Sequence, residues 1–152
     1  MKREIFILGS TGSIGETTLN ILRKYKNHFK IGLLTTNKNT KKIYKQALEF
    51  KVKNIVIFNK KAYTKSLENF KKKKINVNFS IKDVFKTKKN RSYLTINAIS
   101  GLEGLEPSIN TIKYTKNLAI ANKESIICGW KFIHKELRKF RTNFIPLDSE
   151  HF

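Results

Sequence analysis

The sequence predicts an α/β protein: a Rossmann-like, doubly wound, mostly parallel sheet of about seven strands with helices on both faces. Short apolar runs alternate with stretches of helical periodicity along the whole chain, the pattern of strand–helix–strand crossovers. The first apolar run breaks into three glycines spaced by three, "GSTGSIG", and then into a helical pattern. With 152 residues, 39% of them hydrophobic, the chain is long enough for one domain with its own core.

Each element follows from its residues. "EIFILG" is a buried strand ending in glycine. Residues 13–26 place Ile14, Leu19, Ile21, Leu22 and Tyr25 at helical spacing. "FKIGLLTT" is a second strand. "NTKKIYKQALEFK" starts a helix at Asn39 or Thr40 and carries Ile43, Ala47, Leu48 and Phe50. "NIVIF" is a third strand, "KKAYTKSLENFKKKK" a surface helix and "INVNFS" a fourth strand. Residues 81–91 are polar and take no clear element. "YLTINAIS" is a fifth strand leading into the glycine-containing loop "GLEGLEP". "PSINTIKYT" is helical, with Pro107 tolerated in the first turn. "KNLAIAN" is a sixth strand, "KESIICGWKFIHKELRKF" a helix and "NFIPLD" a seventh strand. No internal repeat and no Pro-rich linker divides the chain.

Composition narrows the classes. No apolar run approaches the roughly 18–20 residues that span a bilayer, and with the first strand expected from Glu4 or Ile5 no signal peptide is expected. Cys128 is the single cysteine, so no disulfide forms within the chain and a reducing cytoplasm is the expected compartment. The net charge of +21 raises a nucleic-acid partner. Against it, the excess is 27 Lys to 5 Arg and is spread over the chain among Asn and Ile, as A/T-rich codon usage produces. Arginine is the better fork for phosphates. A basic enzyme domain without a nucleic-acid or membrane partner is expected, with Lys71–Lys74 as the solvated end of a helix.

In open parallel sheets ligands sit at the carboxyl ends of the strands, which directs attention to segments 9–15, 35–39, 100–106, 121–125 and 148–151. In the first, Gly9 permits the turn out of the strand, Gly12 lets a pyrophosphate approach the backbone and Gly15 allows the helix to pack closely on the strand. The helix N-terminus adds free N–H groups and a partial positive charge, and Thr11 and Ser13 add hydroxyls. After the second strand, "TTNKN" lacks the acid that binds a ribose 2′-OH and offers Lys38 between Asn37 and Asn39, which favours a 2′-phosphate and so NADPH. Asn122, Lys123 and Glu124 open a helix facing the same cleft, where Lys123 can reach an anionic substrate; helix capping or a plain surface charge explains any one of them equally well. Asp148 and Glu150 suit a hard divalent cation but need a third ligand, and a solvated acidic loop is the simpler reading of two carboxylates alone. One rival is a dehydrogenase resembling aspartate-semialdehyde dehydrogenase, which has a similar glycine loop and a catalytic cysteine. Cys128 is the one candidate, and its place on a helix reads as core packing.

Together, "ILGSTGSIG" (7–15), "LEF" (48–50), "NAISGLEGLEPSINTI" (97–112), "LAIANKES" (118–125) and "PLDSEH" (146–151) resemble the 1-deoxy-D-xylulose 5-phosphate reductoisomerases of the non-mevalonate isoprenoid pathway, in order and spacing. The resemblance implies an NADPH-dependent oxidoreductase and isomerase using Mg²⁺, Mn²⁺ or Co²⁺. It would convert 1-deoxy-D-xylulose 5-phosphate to 2-C-methyl-D-erythritol 4-phosphate, as a homodimer in the family. It implies NADPH contacts at Thr11, Gly12, Ser13, Ile14, Asn37, Lys38, Asn39, Asn122 and Glu124. It further implies substrate contacts at Lys123, Ser149 and Glu150, metal ligands at Asp148 and Glu150, and Lys123 and Glu150 as catalytic residues. Residues 1–152 correspond to the NADPH-binding domain. These residues end at the start of the family's metal and catalytic region, the family's catalytic and C-terminal domains are expected to be absent, and Phe152 departs from the small residue the family usually has there. A truncated chain, inactive by itself, is the expectation.

Overall fold

The structure, a computed structural model, describes residues 1–147. Seven strands form one sheet: β1 (Arg3–Leu8), β2 (Phe29–Thr36), β3 (Asn54–Ile57), β4 (Asn76–Asn78), β5 (Ser92–Asn97), β6 (Thr115–Ile120) and β7 (Asn143–Pro146). Their order is β4-β3-β2-β1-β5-β6-β7 and every pairing is parallel. Six helices connect them: α1 (Ser13–Lys24), α2 (Thr40–Glu49), α3 (Lys60–Lys72), α4 (Ile81–Phe85), α5 (Leu105–Ile112) and α6 (Lys123–Phe140). A 3₁₀ turn, Leu102–Gly104, precedes α5.

The strand order reverses between β1 and β5, which leaves a crevice above the carboxyl ends of those two strands. The pleat of β1 sorts its side chains onto the two faces of the sheet. Ile5 and Ile7 join Leu19 and Leu22 of α1, Ile43 and Ala47 of α2 and Phe70 of α3. Phe6 and Leu8 pack on the other side with Leu33, Val56 and the Ile81–Phe85 pair of α4. A third cluster joins α5 and α6 to β6 through Ile112, Leu118, Ile120, Ile133 and Leu137. Central strands apolar on both faces are what a parallel sheet covered by helices requires.

Three details differ from the sequence reading. Residues 81–91 contain a short helix, capped where Ser80 Oγ accepts from the Lys82 N–H at 3.2 Å. Its Ile81 and Phe85 are buried, and the Phe85 ring lies 4.2 Å from Tyr114 and 5.5 Å from Phe6. Within the first helix only Leu19 and Leu22 of the apolar series are buried, while Ile14, Ile21 and Tyr25 are exposed. Cys128 is exposed and not a core residue. The inward stripe of α6 runs through Ser125, Gly129, Ile133 and Leu137, and position 128 sits about 100° away from 129 around the helix. Lys71–Lys74 close α3 fully in solvent, as read from the sequence.

Candidate functional site

A cavity of about 580 Å³ opens at the carboxyl ends of the strands. It is lined by the glycine loop (Gly9, Thr11, Gly12), the end of β2 (Thr35, Thr36, Asn37), the β3 and β4 ends (Phe58, Phe79, Ser80) and the segment after β5 (Ala98 to Ser100, Glu103, Glu106).

The loop is built by its neighbours. Gly9 takes φ +78°, a backbone state that L side chains avoid, and its N–H donates to Thr35 Oγ1 at 2.8 Å. The Ser10 N–H donates to the Thr35 carbonyl at 3.0 Å, and the Thr11 and Thr36 hydroxyls lie 2.7 Å apart. Gly15 meets the loop rather than the strand: a Cβ there would come within 2.6 Å of Ser10 Cα and closer still to the Gly9 carbonyl oxygen. Gly12 is different. It has an ordinary extended backbone, φ −82° and ψ 175°, and a Cβ would meet only the Gly9 oxygen at 3.7 Å. Packing therefore demands Gly9 and Gly15 but not Gly12, which faces the open cavity.

Helix caps point the same way. The side chains of Asn39, Asn59 and Asn122 accept backbone N–H donors of Lys42, Ala62 and Ser125, closing the starts of α2, α3 and α6. α1 starts on Gly12 with no side-chain cap. Among the described residues it is the one helix of eight or more that starts directly from a strand-end loop without one; α5 also starts on glycine but continues from the 3₁₀ turn. Its first-turn N–H groups thus suit an anion. An open glycine edge, an uncapped helix start and an adjoining cavity fit the pyrophosphate of a dinucleotide.

The residues singled out in the sequence divide. Thr11, Gly12 and Asn37 line the cavity. Ser13 and Ile14 form the first turn of α1 beside it. Lys38 lines a neighbouring cleft of about 530 Å³ between α2 and α3, together with Lys41, Lys61 and Lys65. Asn39 is the cap of α2. Asn122 is buried and spends its amide on structure: Oδ1 caps α6 and Nδ2 donates to the Ile99 carbonyl at 2.6 Å. Lys123 and Glu124 occupy the exposed first turn of α6 and do not line the cavity. Asp148, Ser149 and Glu150 lie outside the described residues. Among the described residues no group of three His, Cys, Asp or Glu could hold a metal.

Sequence reasoning missed several lining residues. Phe58, Phe79 and Ser80 come from strand ends that carry no motif. Glu103 and Glu106, within the 100–106 segment the sequence singled out, add two carboxylates to the cavity wall. Their loop is held by Asn97, fully buried, whose Nδ2 donates to the Gly104 carbonyl at 2.7 Å and whose Oδ1 accepts from the Ile99 N–H at 3.0 Å. Hydrogen bonding to Arg23 holds the Glu49 carboxyl below its usual range and raises the Arg23 guanidinium.

A parallel sheet with this strand order, a cavity at its switch point and a glycine edge opening α1 define a Rossmann-type α/β domain. Residues 5–129 match the family model for 1-deoxy-D-xylulose 5-phosphate reductoisomerase. The 1-deoxy-D-xylulose 5-phosphate reductoisomerase of Pelagibacter ubique is 48% identical over 153 residues, covering 99% of this chain and 39% of that protein. The Zymomonas mobilis reductoisomerase, solved with NADPH, superposes with a TM-score of 0.87 at 27% identity, over 99% of this chain and 40% of that one. A reductoisomerase solved with NADPH, fosmidomycin and magnesium also gives 0.87, at 26% identity, over 98% of this chain and 37% of that one. The chain belongs to the 1-deoxy-D-xylulose 5-phosphate reductoisomerase family. It spans about 40% of the length of these relatives.

Proposed function

We propose that residues 1–152 are the NADPH-binding domain of a 1-deoxy-D-xylulose 5-phosphate reductoisomerase, forming 2-C-methyl-D-erythritol 4-phosphate. The observation that carries the reading is Gly12: a glycine that packing does not require, at the uncapped start of α1, on the wall of a cavity at the sheet's switch point. Thr11, Gly12, Ser13 and Ile14 take the pyrophosphate through backbone N–H groups and hydroxyls. Asn37, Lys38 and Asn39 meet the adenosine 2′-phosphate, with Lys38 reaching in from the lysine cleft. Asn122 positions the start of α6, from which Glu124 meets the nicotinamide half.

When bound, NADPH supplies the hydride. The chain's own residues orient the substrate: Lys123 neutralises its anionic group, and Ser149 and Glu150 hydrogen-bond it. Asp148 and Glu150 are the proposed ligands for Mg²⁺, Mn²⁺ or Co²⁺, completed by a further carboxylate from outside this chain. Because two carboxylates alone make a poor site for a divalent cation, residues 1–152 by themselves bind cofactor without turnover. A cytoplasmic compartment and the family's homodimer belong to the same reading; among the described residues no helix is long and apolar enough to cross a membrane.

Calorimetric titration of the purified chain tests this. NADPH is expected to bind more tightly than NADH, with no steady NADPH oxidation on addition of 1-deoxy-D-xylulose 5-phosphate and Mn²⁺. Equal affinity for both cofactors removes the 2′-phosphate role of Lys38, and steady turnover overturns the claim that catalysis needs groups beyond residues 1–152.

A further inference from the structure

A glutamine buried in the apolar stripe of a helix needs a partner. α2 turns Ile43, Gln46 and Ala47 inward, and Gln46 is only 6% exposed. Both ends of its amide go to one residue of the glycine loop. Gln46 Nε2 donates to the Ser10 carbonyl at 3.0 Å, and Gln46 Oε1 accepts from Ser10 Oγ at 2.8 Å. One turn earlier on the same face, Lys42 Nζ donates to the Thr11 carbonyl at 3.4 Å and pairs with Glu16 of α1 at 2.8 Å. The backbone of the loop is therefore held from outside, by the end of β2 on one side and by α2 on the other. A leucine of similar size would fill the stripe as well; the amide serves the loop.

We propose that Gln46 is a positioning residue for dinucleotide binding, and this rests on the NADPH reading above. By occupying the carbonyl and hydroxyl of Ser10, it holds Gly9–Gly12 in the shape that turns the Gly12 edge and the α1 N–H groups toward the cavity. It also ties the loop for the pyrophosphate to α2, whose head carries Lys38 and Asn39. Binding of the pyrophosphate depends on Gln46. Binding of the adenosine 2′-phosphate end alone does not.

Two variants test this, Gln46→Leu, which removes both hydrogen bonds, and Gln46→Glu, which keeps the size and an acceptor for Ser10 Oγ but cannot donate to the carbonyl. In each, NADPH affinity by calorimetry is expected to fall roughly tenfold. Adenosine 2′-monophosphate, which lacks the pyrophosphate, should bind within about twofold of wild type. In the ligand-free chain, amide hydrogen exchange over residues 9–13 should accelerate while the interior of α2 stays protected. Parallel weakening of both ligands, unchanged NADPH affinity, or unchanged exchange in the loop would each overturn the positioning role. A wild-type chain with no affinity for NADPH overturns the cofactor reading instead, and the exchange measurement then still decides whether Gln46 orders the loop.

Discussion

Glycines of the same motif should fail in opposite ways when replaced. At Gly15 an added Cβ would lie 2.6 and 2.7 Å from Ser10 Cα and C, all backbone that no rotamer change can clear. Restoring a spacing of about 3.5–4.0 Å needs roughly 1 Å of loop movement. Overpacking of this kind costs roughly 1–3 kcal/mol, and a backbone neighbour puts Gly15→Ala at the upper end. The gain of alanine over glycine inside a helix returns about 1 kcal/mol. The net loss is about 2 kcal/mol, or about 4–8 °C in Tm for a chain of this size. At Gly12 the extended backbone accepts any residue, the nearest atom is 3.7 Å away, and serine is at least as good as glycine at an N-cap. Gly12→Ser should leave stability within about 0.5 kcal/mol of wild type. Its side chain would occupy the approach to the loop, and NADPH affinity should fall more than about tenfold. Thermal melts by circular dichroism and calorimetric titration of the two variants read both quantities. A Gly15→Ala melt at the wild-type temperature, or wild-type NADPH binding by Gly12→Ser, would show that the division of the glycines into packing and binding positions is wrong.

Arg23→Ala should cost about 0.2–1 kcal/mol near pH 7, as for other exposed ion pairs. Because Arg23 lowers the Glu49 carboxyl in the folded state, this contribution is present above the unfolded carboxylate range, near pH 4.3. It is lost as pH falls through the lower folded value, so urea melts of wild type and variant should converge in acid. Lys38→Ala should narrow the preference for NADPH over NADH while leaving NADH affinity unchanged, by calorimetry. Iodoacetamide should label the exposed Cys128 in the native chain without loss of NADPH binding, since the thiol lies outside the cavity; loss of binding on labelling would tie the thiol to the site.

Much of the fold was legible because parallel strands buried on both faces are near-continuous apolar runs, and these run from "EIFIL" to "NLAI". α4 was not: its pattern is one i, i+4 pair, Ile81 and Phe85, too short to show a period, and it is held by Phe6 and Tyr114 from distant elements. Cys128 was misplaced because α6 has apolar residues on several sides; the contact with α5 and β6, not the sequence, selects which stripe turns inward. Asn122 and Gln46 show the same limit from the polar side. A cap residue and a mid-helix glutamine carry no sign of the loop each one grips 23 or 36 residues away.

By itself the sequence determined the alternation of strands and helices, the glycine loop between the first pair and the family likeness, since these rest on local periodicity and on short contiguous motifs. Tertiary structure alone decided which glycine is free to meet a ligand, that Lys38 faces the lysine cleft between α2 and α3, and that Gln46 holds the loop. Those properties depend on the distance between segments far apart in the chain, which the packing of helices on the sheet sets and local residue patterns do not encode.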